Sequence, residues 1–250
     1  MRKTNAWDYV YFGTAVRYLQ DISADHPIHG EDLIVSNIES ILEYMKQFRL
    51  PVSQRAAYRL NEVLEQLRKK PENHRLTSEE SILIRQIMDE LRLTITAEIL
   101  GQVCYVVTDK RYPVDKLVDN IWGLMGGVAA SRLPDVAKSD FEEAGKCIAF
   151  ERPTAAAFHL LRATEDTLKA YYCHLVKRNR STLMWGPMVE SLRRKRNPPP
   201  AELLDHLDNI RRNFRNPTQH PEKRYDIEEV QDLFGLSVDV VRRMAAVLPD

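Results

Sequence analysis

Apolar residues recur every three or four positions along most of the chain, which is the spacing of one helix face. Three stripes carry the pattern: Ile34, Ile38, Ile41, Met45 and Phe48; Ile84, Ile87, Leu91 and Ile95; and Val230, Phe234, Ser237, Val241, Met244 and Leu248. Thr77 with Glu80, and Asp226 with Glu229, have the spacing of capping boxes at the starts of the second and third. The pattern predicts an all-α protein.

The helical pattern is interrupted at 102–108, where short β-branched residues predict a strand or an extended segment. A change of composition near 133–139 predicts a boundary. We therefore expect an N-terminal helical region of unassigned role over 1–135 and a C-terminal bundle of about four main helices over 136–250.

Breaks and caps divide the C-terminal region into helices. Asp140 is expected to cap a helix that ends at Phe150, and Pro153 to open a long helix to about residue 177. Trp185 marks the start of another helix, and the next spans about 202–215.

Charge and composition limit the class of protein. The chain has 36 basic and 36 acidic residues, a balance that argues against a protein that coats polyanions. The segment 177–215 nevertheless holds ten basic and four acidic residues, a local surplus of +6. Three cysteines without a Cys-x-x-Cys pair, no long apolar run and no secretory signal predict a cytoplasmic protein that does not bind membranes.

The richest candidate chemistry lies in the segment 215–221. Pro217 disfavours helical backbone at Asn216, which predicts that the helix ends at Arg215. Pro217 and Pro221 then stiffen a loop that presents His220. An arginine neutralises a phosphate, and a histidine moves a proton near neutral pH, so the pair suits phosphodiester chemistry.

Two further features could support that site. Glu165 falls on the predicted inward stripe of the long helix, which otherwise contains Phe158, Leu161, Leu168, Tyr172 and Leu175. It is expected either to form a core salt bridge, with Arg162 or an arginine of another helix, or to orient Arg215 or His220. Arg211 and Arg215 are four apart, and with Arg212 they either grip phosphates or form a solvated helix face.

Several enzyme classes lack their motifs here. The chain has no His-Glu-x-x-His, no Gly-rich phosphate loop and no Gly-x-Ser-x-Gly. His159 and His174 have no ligand partners at metal-binding spacing. No metal, no cofactor and no NTPase or serine hydrolase site is therefore expected.

The C-terminal residues resemble the HEPN domain family (higher eukaryotes and prokaryotes nucleotide-binding). The resemblance covers about 140–248: the segment 155–165 on a long helix, Trp185-Gly186, and above all 210–221 followed by Tyr225. The family signature is Arg, four to six residues, then His, often with Asn after the Arg. Among the arginines followed by asparagine, Arg215 is the one that has a histidine, His220, after four intervening residues.

The resemblance implies a metal-independent endoribonuclease of a toxin, phage-defence or RNA-processing system. It implies a homodimer in which Arg215 and His220 of two protomers line one cleft, with an antitoxin or regulator as a possible partner. His220 would transfer protons, Arg215 would stabilise the charged transition state and Asn216 would orient the phosphate or His220. Two alternatives stay open: a non-catalytic module that binds nucleotide, RNA or protein, and a purely structural scaffold.

Overall fold

The structure, a computed structural model, describes residues 4–126, 130–177 and 184–249. Within these ranges all regular secondary structure is helical, and strand-like pairing is limited to one isolated bridge between Pro27 and Arg75. The all-α prediction is therefore confirmed. The chain divides into two compact units, Met1–Tyr105 and Val106–Asp250. No helix in the described ranges has both the length and the apolar character that a membrane crossing requires.

Over residues 4–105 the first unit contains five helices: α1 (Ala6–Asp21), α2 (Ile34–Gln47), α3 (Pro51–Ala56), α4 (Tyr58–Arg68) and α5 (Ser78–Leu100). The predicted stripes of α2 and α5 are buried throughout and form its core with residues of α1 and α4. Thr77 and Glu80 form the predicted capping box at the start of α5.

The segment 102–108 has neither helix nor strand. Three of its apolar side chains are exposed, with Val103 at 77%, Tyr105 at 87% and Val106 at 88%, whereas Val107 is half-buried against the core of the second unit. The prediction that this segment is not helical is correct, whereas no strand forms over 102–108. The two units divide within this segment.

The second unit contains α6 (Val114–Asp119), α7 (Asp135–Ala149), α8 (Pro153–Val176), α9 (Trp185–Arg193), α10 (Ala201–Ile210), α11 (Asn216–Thr218) and α12 (Ile227–Ala245). Helix α8 is central, packing against α7, α9 and α12. The predicted stripe of α12 is buried from Val230 to Leu248, and Asp226 with Glu229 forms its capping box. Arg178 and Arg180, part of the basic segment, lie outside the described residues.

The division between the units falls well before the expected boundary at 135/136. The reason is packing: Leu117, Ile121, Met125 and Leu133 are buried in the core of the second unit. Gly145 on α7 lets α6 approach closely, because a Cβ atom there would stand 2.3 Å from the Leu117 carbonyl oxygen. Residues 106–135 thus belong to the C-terminal unit.

Candidate functional site

Helix α10 runs into a wide turn that carries the arginines. Residues Arg211–Arg215 form a π-helical turn, in which the Asn216 N–H donates to the Arg211 carbonyl. Asn216 is itself helical, with φ −66° and ψ −48°, and the short α11 follows. The expectation that Pro217 ends the helix at Arg215 is therefore wrong. A π turn inserts an extra residue and shifts the hydrogen-bond register, which accommodates a proline that has no N–H to donate.

Buried hydrogen bonds from inside the unit hold the turn after α11. The Thr218 hydroxyl, which is buried, donates to the Phe214 carbonyl at 2.6 Å and lies 2.6 Å from the Tyr225 hydroxyl. The Tyr225 N–H donates to Thr154 Oγ1 of α8 at 3.2 Å. The His220 N–H donates to the Pro217 carbonyl at 2.9 Å, which continues the turn. The backbone that carries His220 is thus anchored at both of its ends.

Glu165 and Arg215 meet across the gap between α8 and the π turn. Arg215 Nη2 lies 3.5 Å from Glu165 Oε2, and Lys169 Nζ lies 3.5 Å from Glu165 Oε1. The Glu165 side chain is 20% exposed and that of Arg215 is 25% exposed, so the pair is only partly desolvated. Of the partners considered for Glu165, the structure selects Arg215 and assigns Arg162 elsewhere.

Arg211 and Arg212 converge on one carboxylate. Arg211 Nη2 lies 2.7 Å from Asp208 Oδ1, and Arg212 Nη2 lies 2.6 Å from Asp208 Oδ2. The Arg211 guanidinium also passes close to Gly186, at 3.6 Å from where a Cβ atom would stand. Arg211 therefore pairs with Asp208 and Arg215 with Glu165, so the two arginines contact different carboxylates.

His220 and Asn216 are exposed. Within the described part of the chain, neither side chain has a hydrogen-bond partner. The turn thus holds Arg215 against α8 and leaves an imidazole and a carboxamide open to solvent.

A second polar cluster, which the sequence did not reveal, lies between α7 and α8. Asp140 is 1% exposed and sits within α7, whose N-cap is Pro134, so the expectation that Asp140 caps the helix is wrong. His159 Nδ1 lies 2.7 Å from Asp140 Oδ1, and Arg162 contacts both carboxylate oxygens at 2.5 Å. The sequence did contain one sign of this burial: Asp140 lies in α7 between Ala137 and Phe141, Ala144 and Ile148, which are all buried apolar residues.

The electrostatics of Asp140 follow from these contacts. Burial by itself raises the pKa of the carboxyl group, but hydrogen bonds from Arg162 and His159 outweigh burial and hold the pKa below its usual value. The carboxylate is charged at neutral pH and hydrogen-bonds both partners.

Comparison with known proteins finds no match, whether among protein-family models, curated proteins or solved structures.

Proposed function

We propose that the second unit is a HEPN-type, metal-independent endoribonuclease that cleaves single-stranded RNA at the Arg215–His220 turn, in a cytoplasmic toxin or phage-defence setting. The observation that carries the proposal is the environment of His220. Its backbone is anchored by the Thr218 and Tyr225 contacts, yet its side chain is exposed and has no partner among the described residues. An exposed imidazole on a hydrogen-bonded turn, free of any structural contact, suits proton transfer.

The proposed reaction is transesterification. The ribose 2′-oxygen attacks the phosphorus, its proton goes to an imidazole, and the bond from phosphorus to the 5′-oxygen breaks. The products are a 2′,3′-cyclic phosphate and a 5′-hydroxyl, which takes its proton from an acid. Arg215, held by Glu165, neutralises the charge that builds on the non-bridging oxygens, and Asn216 donates to one of them.

The reaction needs a base and an acid, whereas one turn supplies a single imidazole, that of His220. A second copy of the turn, facing the first across a two-fold axis, would supply the other. This requirement favours a homodimer with a composite cleft, and an antitoxin or regulator could act by covering that cleft.

The direct test incubates the purified protein with structured and unstructured RNA in excess EDTA and analyses fragment ends. We expect fragments ending in 2′,3′-cyclic phosphate, and we expect His220→Ala to reduce the rate by about 100-fold or more. His174→Ala is the matched control, since His174 is also exposed and lies on α8 of the same unit. No cutting by the wild type, or equal cutting by His220→Ala, contradicts the proposal.

One observation favours a second candidate, a non-catalytic module that binds nucleotide, RNA or protein. The three arginines of the turn are already paired, Arg211 and Arg212 with Asp208 and Arg215 with Glu165, which reduces the positive charge available to a phosphate. Tight binding without turnover, lost in Arg215→Ala, would support this candidate. A purely structural role predicts that His220→Ala only lowers the melting temperature, and the exposure of His220 argues against it.

A further inference from the structure

Phe158 is the one member of the predicted inward stripe of α8 that is largely exposed, at 55%. Its neighbours on the stripe behave as expected, with Leu161 and Leu168 buried. The helical period assigns position 158 to the core, so an exposed aromatic ring there departs from the sequence pattern of α8. Departures of this kind are expected at functional sites.

The segment that carries His220 runs along the same side of α8 as Phe158. At 100° per residue, Thr154, Phe158 and Glu165 lie within about 40° of one another around the helix axis. Tyr225 contacts Thr154 at one end of the segment, and Arg215 contacts Glu165 at the other. These two anchors are about 16 Å apart along α8, and Phe158 lies between them, about 6 Å from the level of Thr154.

A positioned guanidinium flanks the ring on its other side. Arg162 follows Phe158 by one helical turn, and its side chain is 65% exposed. Its Nε and Nη2 groups are held by the buried Asp140 carboxylate, whereas in the described part of the chain Nη1 has no hydrogen-bond partner. The carboxylate therefore fixes the plane of the guanidinium and leaves one edge directed to solvent.

We infer that Phe158 and Arg162 form a nucleobase subsite of the proposed RNA cleft, in which Phe158 stacks on the base next to the cleaved phosphate and Arg162 contacts the adjoining phosphate. The inference rests on the proposed function and specifies its substrate as unpaired RNA, because a base is free to stack on a side chain only when it has left the helix. A single exposed ring beside a fixed cation suits a nucleobase, whereas a protein partner normally requires a contiguous apolar patch.

The test measures binding rather than cleavage. The probe is a fluorescein-labelled octanucleotide with 2′-O-methyl riboses, which lacks the attacking hydroxyl and so survives contact with the full-length protein. Fluorescence anisotropy gives the affinity of wild type, Phe158→Ala and Phe158→Trp. We expect Phe158→Ala to weaken binding by roughly 5- to 100-fold and Phe158→Trp to retain the wild-type affinity.

Two controls keep the outcome specific. Tyr58→Ala removes an aromatic side chain of similar exposure, 61%, from the first unit and is expected to leave the affinity unchanged. Circular dichroism checks that each variant is folded, which is expected because Phe158 is exposed.

The possible results separate the subsite from the nuclease. Affinity of Phe158→Ala within twofold of wild type, equal loss in Tyr58→Ala, or no binding of the octanucleotide by wild type overturns the subsite. Phe158-dependent binding without cleavage of unmodified RNA supports the subsite and contradicts the nuclease. Cleavage with Phe158-independent binding does the reverse.

Discussion

Gly145→Ala tests the packing that assigns residues 106–135 to the second unit. Gly145 lies in the interior of α7, where α6 crosses it. A Cβ atom at this position would stand 2.3 Å from the Leu117 carbonyl oxygen and 2.9 Å from Ile121 Cδ1. The Ile121 methyl group can rotate away, but the Leu117 carbonyl belongs to the backbone of α6 and moves only with the helix.

The expected magnitude follows from opposing contributions. Ordinary contact needs about 3.4 Å, so α6 must move by about 1 Å, and overpacking of this kind costs about 1–3 kcal/mol or more. Alanine has a better helix propensity than glycine by about 1 kcal/mol, which offsets part of the cost. Because the clash is with backbone, the upper end of the range applies, and the net loss of unfolding free energy is about 2 kcal/mol.

Urea unfolding followed by tryptophan fluorescence measures this loss of unfolding free energy in the second unit. Trp185 is buried in the second unit, whereas Trp7 of the first unit is 63% exposed and changes its surroundings little on unfolding. For a urea dependence of about 2 kcal/mol per M, the fluorescence midpoint of Gly145→Ala falls by about 1 M.

Gly13→Ala is the matched control for this substitution. Gly13 lies exposed in α1, and a Cβ atom there meets nothing within 4 Å. It should leave the fluorescence midpoint unchanged and stabilise the first unit by about 1 kcal/mol, as followed by far-ultraviolet circular dichroism. An unchanged or raised fluorescence midpoint in Gly145→Ala would refute the close approach of α6 to α7.

Three further variants probe the polar groups of the second unit. Glu165→Gln removes the charge opposite Arg215, so the slope of log affinity for single-stranded RNA against log salt should steepen by about 0.7, measured by anisotropy; an equal slope would argue against phosphate contact by Arg215. Asp140→Asn should cost about 1–3 kcal/mol at pH 7 in urea unfolding, because it removes the buried negative charge and replaces one of the two oxygens that accept from Arg162 with an NH2 donor. Since the pKa of Asp140 is lowered by folding, its contribution is present above pH 4 and is lost as pH falls further, so acid should destabilise the wild type more steeply than this variant. Ser237→Ala should raise the free energy of unfolding by about 1 kcal/mol, because the buried Ser237 hydroxyl has no partner among the described residues, and a loss of stability would contradict that assignment.

Features that depend on neighbours in the chain were predictable from the sequence. The capping boxes at Thr77 and Asp226 need only residues three positions apart, and both formed as predicted. The stripes of α2, α5 and α12 needed only the helical period, and all are buried. The Arg215–His220 turn was located by proline placement, although the π turn moved the end of its helix beyond Arg215.

Features that depend on which helices meet were decided by the tertiary structure. The helical period determines on which side of α8 the Phe158 side chain lies. Whether another element packs over that side depends on segments 50 or more residues away in the chain. Asp140 acquired His159 and Arg162, and Glu165 acquired Arg215, because helix packing brought their elements together. The boundary between the units likewise lies at 105/106 and not at 135/136, because α6 packs against α7 in the core of the second unit. A helical sequence determines its own faces by local geometry, and long-range packing determines which faces are covered.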